Sequence, residues 1–487
     1  MMNNYCKNYW SLFIFLLVGM IFAVSCRKEE KFITNPDAKL VFSADTVLFD
    51  TVFTTVGSAT LKLMAFNKHK DAIRISKITL NGGDASPYKI NIDGEYKTTI
   101  YNKEISAKDS MYIFVKVRID PTNSNNPLLV EDQIVFETNG NRQEIKLVAY
   151  GQDAHYITPT VFGNHPAYTP VSGTWRNDKP YLIYGWAAVV DSSVLTIESG
   201  CRLYFHKNSG VWIDPGSSLK INGTPDQKVT MQGDRLETGS QWPLSYKNLP
   251  GQWHGIVLDE GSIDNIIEHA VIRNAILGIQ CEMPGKSPNQ YPALQIFDTK
   301  FENMSVGGLA GNGTTIIGYN LLFNNCVQYA MALGGGYYEF QHITIGNYPT
   351  ADKKPSLYFA NAFTKYDAKG NETIITVDPT EVSFVNSIIW GDFEDEISVG
   401  NTGVGSFSWN FDHCLLKTKK NISEEKYFSN CISNNDPKFV DYKEYNYKLD
   451  TISPALKQGI YLGVNTDIDG NSRNTEKPDL GAYEMPY

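Results

Sequence analysis

"FENM" at 301–304 is followed twenty-two positions later by "FNNC" at 323–326, and after the same interval by "IGNY" at 345–348. A large apolar residue and an asparagine return at one fixed distance while the residues between them change. Self-similarity at such a period marks a solenoid, in which each repeat is one coil that buries its apolar side only against its neighbours. Asn suits the bend of a coil because it tolerates left-handed backbone geometry. Stacked carboxamides can also hydrogen-bond along the array.

Working outward, "LTIESGCRLYF" (195–205) and "VWIDPGSSLKI" (211–221) align without gaps at an offset of sixteen, so that Ile197 matches Ile213, Glu198 matches Asp214, Gly200 matches Gly216, Leu203 matches Leu219 and Phe205 matches Ile221. Each copy reads as strand, Gly turn, strand, and the coil interval here is expected to be sixteen. Asn274 precedes Asn303 by twenty-nine, which is twenty-two plus a loop such as "MPGKSPN" (283–289). Gly391 of "SIIWGD" falls forty-four beyond Asn347, read as two intervals with the polar segment "KYDAKGNET" (365–373) protruding.

The tail carries four motifs in order: "DPKFVD" (436–441), "SPALKQG" (453–459), "DIDGNSR" (467–473) and "DLGAYE" (479–484). Together with "LTIESG" and the Asn-bearing coils, it resembles bacterial surface proteins of the right-handed parallel β-helix class, the pectate-lyase-like superfamily. The resemblance covers residues 180–487. It implies a closing cap, since an uncovered last coil exposes strand edges and apolar interior. Arg473 is placed to hold that cap by pairing with Asp479 or Glu484.

Residues 39–153 read differently. "MYIFVKVRI" (111–119) sets Met111, Ile113, Val115, Val117 and Ile119 on one face and Lys116 and Arg118 on the other, the period-two pattern of a half-buried strand. Asn139-Gly140, between two such runs, predicts a hairpin because both turn positions must accept positive φ. "FDTVFTTVGSATLKLMAFN" (49–67) and "LVAYGQDA" resemble the immunoglobulin-like module at the front of many bacterial surface lipoproteins, which implies a spacer without an active site. His69 and Asp71 are read as solvated loop residues.

At the N-terminus, "NYWSLFIFLLVGMIFAVS" runs uncharged to Cys26 and is followed by "RKEE". A short positive region, an apolar core and small residues before a Cys describe a lipoprotein leader, and "AVSC" resembles a bacterial lipobox with Ala23 where Leu is commonest. The alternative is a transmembrane anchor, since about 18 apolar residues can span a bilayer. Acylation of Cys26 would give stable anchoring in the outer membrane of a Gram-negative cell, at its surface. The expected organisation is thus an all-β chain: leader 1–25, tether 26–38, antiparallel β-sandwich 39–153, right-handed parallel β-helix 154–441 and capping segment 442–487.

Composition agrees. Tyr (28), Phe (24), Trp (8) and Gly (39) are abundant, a mix that favours strands and tight turns. A net charge of -10 and the lack of a basic cluster exclude a nucleic-acid partner. Seven cysteines include no CxxC pair, which argues against zinc. Beyond Cys6 and Cys26, the remaining five are expected to be buried small apolar residues, with a Cys414–Cys431 disulfide as the alternative.

Chemistry is less legible. Asp467, Asp469 and Asn471 alternate as in the first half of a calcium loop, but Ser472 and Pro478 stand where that loop requires Gly and Glu. No other cofactor is expected. The family's enzymes mostly cut acidic polysaccharides, using paired carboxylates or a basic residue with calcium. Asp259-Glu260 and "DFEDE" (392–396) are acidic candidates, and His254, His269, His342 and His413 recur in coils. Trp253, Tyr337, Tyr338 and Trp390 are candidate sugar platforms. The leading expectation is a non-catalytic surface protein binding glycan or another surface protein. The alternatives are a polysaccharide lyase or glycoside hydrolase, and a structural envelope component.

Overall fold

The computed structural model describes residues 31–122, 128–163, 165–237, 246–282, 292–348, 354–366 and 369–486. The leader, Cys26 and the segment 283–289 lie outside the described residues. The chain divides into two compact units, the first comprising the described residues to Asp120 with Leu128–Gly151, the second comprising Pro121, Thr122 and the described residues from Gln152 onward.

The first unit is a pair of five-stranded antiparallel sheets. Its strand Ser110–Val117 alternates strictly, with Met111, Ile113, Val115 and Val117 buried. Asn139 and Gly140 both take positive φ, 51° and 78°, which lets a two-residue turn join the long strands Leu128–Thr138 and Asn141–Gln152. Rings from the two inner faces meet in the core, Phe42 with Phe136 at 4.7 Å and Phe49 with Tyr88 at 5.9 Å.

The second unit is a parallel β-helix. Among the described residues one sheet has seventeen strands and the other eleven, and the pairings between successive coils are parallel. Phe301 lies on Phe323 and Phe323 on Ile345, so the twenty-two-residue interval is one coil. The interior is a stack of like residues: Phe301 and Phe323 are 4.6 Å apart and within 2° of parallel. Farther on, Phe340, Phe384, Phe411 and Phe428 continue such a column at 5.2 to 5.8 Å. Each such ring pair contributes about 0.5–1.5 kcal/mol beyond its buried area. Gly278 and Gly308 make room, since a Cβ there would stand 2.7 and 2.4 Å from the Phe301 and Phe323 rings.

Two coil steps differ from the reading above. Leu195 lies on Leu219 and Ile197 on Ile221, so the early coil advances by twenty-four residues. The offset of sixteen instead matches two different strand–turn–strand pieces, because every bend needs the same Gly-containing turn. Ile345 lies directly on Ile389, so the forty-four residues between them are a single coil. Its extra length leaves the stack as an antiparallel hairpin, Ala362–Tyr366 with Glu372–Thr376.

Bends are built by ladders. Asn274, Asn303 and Asn325 hold φ of 61°, 59° and 51°, with Asn325 Nδ2 donating to Asn303 Oδ1 at 3.1 Å. Asn347 continues the column by register, yet sits at the end of a strand and clamps the backbone of Cys326 through both ends of its carboxamide, at 2.8 and 2.9 Å. A second left-handed column holds His269, Asp298, Asn320, His342, Asn386, His413 and Asn430. Asn320 Nδ2 donates to Asp298 Oδ1 at 2.8 Å, and Asn386 Nδ2 contacts His342 Nε2 at 3.1 Å. This explains the recurrence of His: in three coils it stands at a left-handed bend position that Asn fills elsewhere.

The tail runs back along the outer face of the eleven-stranded sheet. Tyr447 fills the space left by Gly346, where a Cβ would lie 2.2 Å from its ring. Thr344 Oγ1 accepts from Ala482 N at 2.8 Å, Tyr445 Oη donates to Asn303 Oδ1 at 3.0 Å, and Asp469 reaches Lys228 at 3.3 Å. Ile388, Trp390 and Leu415 on the sheet pack against Leu449, Ala455 and Leu480 of the tail. The sheet is thereby covered on both faces, which accounts for unbroken apolar runs such as Ile388-Ile389-Trp390. Arg473 anchors the tail. Buried with Glu484, it donates to Glu484 Oε2 at 3.2 Å, Asn320 Oδ1 at 2.7 Å, Gly481 O at 3.0 Å and Thr466 O at 3.3 Å.

Candidate functional site

The larger sheet keeps one outward face that the tail leaves alone, and parallel register decides what gathers there. Ile213 pairs with Leu258, Leu258 with Cys281 and Cys281 with Gly311, so the residues that follow them form one column: Asp214, Asp259, Glu282 and Asn312. Neighbouring positions in such a column are ~4.8 Å apart. Three carboxylates on three successive coils therefore line one corner of the sheet.

Two of the three are held in place. Trp212 Nε1 donates to Asp259 Oδ2 at 3.2 Å, and the Glu260 amide donates to Asp259 Oδ1 at 2.8 Å. Glu282 accepts from Gln280 Nε2 at 2.5 Å and from Asn312 Nδ2 at 3.2 Å. Partial burial, with Asp259 and Asp191 nearby, raises the Asp214 carboxyl above its ordinary range. Aromatic rings share this sheet with the acids and stay partly exposed: Trp212 hydrogen-bonds Asp259, Tyr168 meets Trp212 edge-on at 6.1 Å, and Trp186 lies 5.2 Å from His254. Trp186 can lie flat there because Gly210 has no side chain; a Cβ would stand 2.7 Å from the indole.

The protruding hairpin borders this face. Its base passes over Gly334, which continues the column after Asn312, so closely that a Cβ there would lie 2.6 Å from Phe363. Its Lys365 reaches back to Glu260 at 3.0 Å. Glu260, and beyond it Glu282 and Asp259, hold the Lys365 ammonium above its usual range.

No described protein family matches the chain, and no curated protein is similar to it in sequence. Among solved structures it is similar to pectate lyase Pel9A, at 10% identity over 69% of this chain and 88% of that one, with a TM-score of 0.29. It is also similar to the catalytic unit of the thermostable GH87 alpha-1,3-glucanase from Streptomyces thermodiastaticus strain HF3-3, at 9% identity over 73% of this chain and 68% of that one, with a TM-score of 0.26. A family 123 glycoside hydrolase from Clostridium perfringens matches at 6% identity over 23% of this chain, with a TM-score of 0.17, and the chain spans 25% of that enzyme's length.

The other residues singled out in the sequence are placed elsewhere. Trp253 is fully buried, stacked 4.0 Å from Phe205 with Nε1 donating to Arg273 O, and Tyr338 is also interior. Trp390 is packed under the tail, whereas Tyr337 is 40% exposed and donates to Glu339. The run at 392–396 does not act together. Glu396 is buried and accepts from Ser356 and the Phe393 amide, Asp395 binds Thr418 and Lys420, and Glu394 pairs with Lys419. Of the histidines, His254 is exposed beside the face, while His269, His342 and His413 belong to the bend.

Asp467, Asp469 and Asn471 do not fit calcium. Asp467 is fully buried and accepts from the amides of Asp469, Asn471 and Glu484. Asp469 is ringed by Lys300 at 2.9 Å, Lys228 at 3.3 Å and Lys448 at 3.5 Å, which would repel a cation. Among the described residues, no group of three or more His, Cys, Asp or Glu is arranged to hold a metal.

Asp214 and Glu282 were missed, although a signal was present. "GVWID" (210–214), "GIVLD" (255–259), "GIQCE" (278–282) and "GLAGN" (308–312) share Gly, apolar, any, small or apolar, then acid or amide. The unequal spacing of these four pieces hides the pattern from a search at fixed period.

Proposed function

We propose that this protein is a lipid-anchored surface protein of the outer membrane that binds a polysaccharide chain along the face formed by Trp186, Trp212, Asp214, Asp259 and Glu282. The observation that carries this reading is the pairing of partly exposed indoles with carboxylates fixed by their own donors. Flat rings supply stacking area for sugar faces, and pre-positioned acceptors bind hydroxyls without first being ordered. The face runs across several coils, which suits an extended polymer. Its charge selects among polymers: Asp214, Asp259, Glu260 and Glu282 stand against Lys365, so a neutral glycan is favoured and a polyuronate is repelled. The "AVSC" leader supports the anchor, and the N-terminal sandwich, which resembles an immunoglobulin-like module, serves as a spacer.

A second reading, glycoside hydrolysis, is favoured by one observation. The raised Asp214 carboxyl adjoins the column neighbour Asp259, which accepts hydrogen bonds from Trp212 and the Glu260 amide, and two neighbouring carboxyl groups can divide the roles of proton donor and base. One experiment separates the readings. The purified protein is incubated with neutral and acidic polysaccharides while retention and new reducing ends are followed. Retention of a neutral polymer without new ends supports binding, new ends that vanish in Asp214→Asn support hydrolysis, and retention of the polyuronate alone refutes both.

A further inference from the structure

Cys414 and Cys431 lie one coil apart at the C-terminal end of the β-helix. Leu415 pairs with Ile432 and Leu416 with Ser433 in parallel register, and the Ile432 amide donates to Cys414 O at 2.8 Å. The two cysteines therefore occupy equivalent positions in adjacent coils. Paired Cα atoms stand ~4.8 Å apart, inside the window of roughly 4.4–6.8 Å that a disulfide spans.

Their thiols are also oriented alike. Cys414 Sγ donates to Phe384 O at 3.4 Å and Asp412 O at 3.3 Å, while Cys431 Sγ donates to Phe411 O at 3.4 Å and Ser429 O at 3.3 Å. Phe384 pairs with Phe411 and Asp412 with Ser429, so the acceptors are the same pair moved on by one coil. Cys201, Cys281 and Cys326 are buried singly, at other levels of the stack.

We infer that Cys414 and Cys431 are a redox-reactive pair that closes into a disulfide on meeting a small disulfide oxidant such as oxidised glutathione, stapling the last two coils together. Both are free thiols in the structure, with Cys414 buried and Cys431 partly exposed. The Cys414 contact lowers the Cys431 thiol, whereas burial raises Cys414, so Cys431 attacks first. Its thiolate takes one sulfur of the oxidant, the oxidant's S–S bond breaks, and one glutathione leaves as thiolate. Cys414 then gives its proton to water and attacks Cys431 Sγ, expelling the second glutathione. Two cysteine thiols are oxidised by two electrons and one glutathione disulfide is reduced to two thiols. The place matters because the strands here, Leu415–Leu416, Phe428–Ser429 and Ile432–Ser433, are the shortest of the stack and have few ladder bonds to resist fraying.

The test is a non-reducing peptide mass map of the native full chain after exposure to oxidised glutathione. The expected product joins the peptides holding Cys414 and Cys431, lighter by two hydrogen atoms, while the other three described cysteines stay unmodified. Cys414→Ser should stop at a glutathione adduct on Cys431. A wild-type chain that keeps both thiols alkylatable, or that holds a lasting adduct at Cys431 without the internal bond, overturns the inference. The wild-type map decides even if the variant fails to fold.

Discussion

Replacing Arg473 by Ala should release the tail from the eleven-stranded sheet. The Arg473 and Glu484 side chains are 0% and 2% exposed, so the substitution leaves a buried carboxylate without its cation. It also leaves Asn320 Oδ1, Gly481 O and Thr466 O without the donor they share. Breaking a buried pair by removing one partner costs about 3–5 kcal/mol. The β-helix is close to one-dimensional, so the loss falls on tail docking and the coils beneath persist. A cost of about 4 kcal/mol raises the undocked population roughly a thousandfold, at tenfold per ~1.4 kcal/mol. Native-state hydrogen exchange reads this at the Ala482 and Gly481 amides, which donate to Thr344 Oγ1 and Asn386 O. Amides of the strand Gly255–Leu258 serve as the control. Arg473→Met combined with Glu484→Leu should recover only part of the protection, because it removes the buried Glu484 charge but still leaves Asn320 Oδ1, Gly481 O and Thr466 O without a donor and the Asn474 and Asp479 amides without Glu484. Less than a tenfold change at Ala482 in Arg473→Ala would refute the reasoning.

Asp298 gives a pH test. Burial lifts its carboxyl to about 6 from an ordinary 3.8, so the folded chain holds that proton more tightly than the unfolded one. Its contribution is most favourable below about pH 4, declines as pH rises through 6 and is constant above, so Asp298→Asn should raise stability at pH 7 by about 3 kcal/mol and change it by less than about 1 kcal/mol at pH 4; denaturant titrations at the two pH values check this, and equal shifts at both would contradict it. Trp253→Ala removes a fully buried indole stacked on Phe205 and should cost about 3–5 kcal/mol by the same titration, where a loss under about 1 kcal/mol would place the ring outside the core. Lys365→Ala breaks an ion pair whose side chains are 57% and 49% exposed, so denaturation should shift by less than about 1 kcal/mol, and a larger change would show the pair to be more than a surface contact.

Much of the fold was legible because stacking imposes a period on residue type. Asn303, Asn325 and Asn347 announced one bend, and the alternation in "MYIFVKVRI" announced a half-buried strand. The Arg473–Glu484 link could be anticipated because an Arg and acids recur in one short tail. What stayed hidden depends on register between coils of unequal length. The hairpin at 362–376 made one coil look like two, and a shared Gly turn made sixteen look like a coil step. Direction was equally hidden: Trp253 and Trp212 are both strand-associated tryptophans, yet one points inward and the other outward, with the face of Trp212 set by its buried strand neighbours Val211 and Ile213. The acid column is of the same kind, since Asp214, Asp259 and Glu282 are neighbours in space at irregular separations in sequence.

The most direct measurement is a hydrogen–deuterium exchange footprint of the protein with and without a retained neutral polysaccharide. The account predicts slowed exchange in Gly210–Ile213, Gly255–Leu258, Leu277–Cys281 and the hairpin, with the footprint lost in Trp212→Ala. Protection confined to the N-terminal sandwich, or an unchanged footprint in that variant, would contradict it.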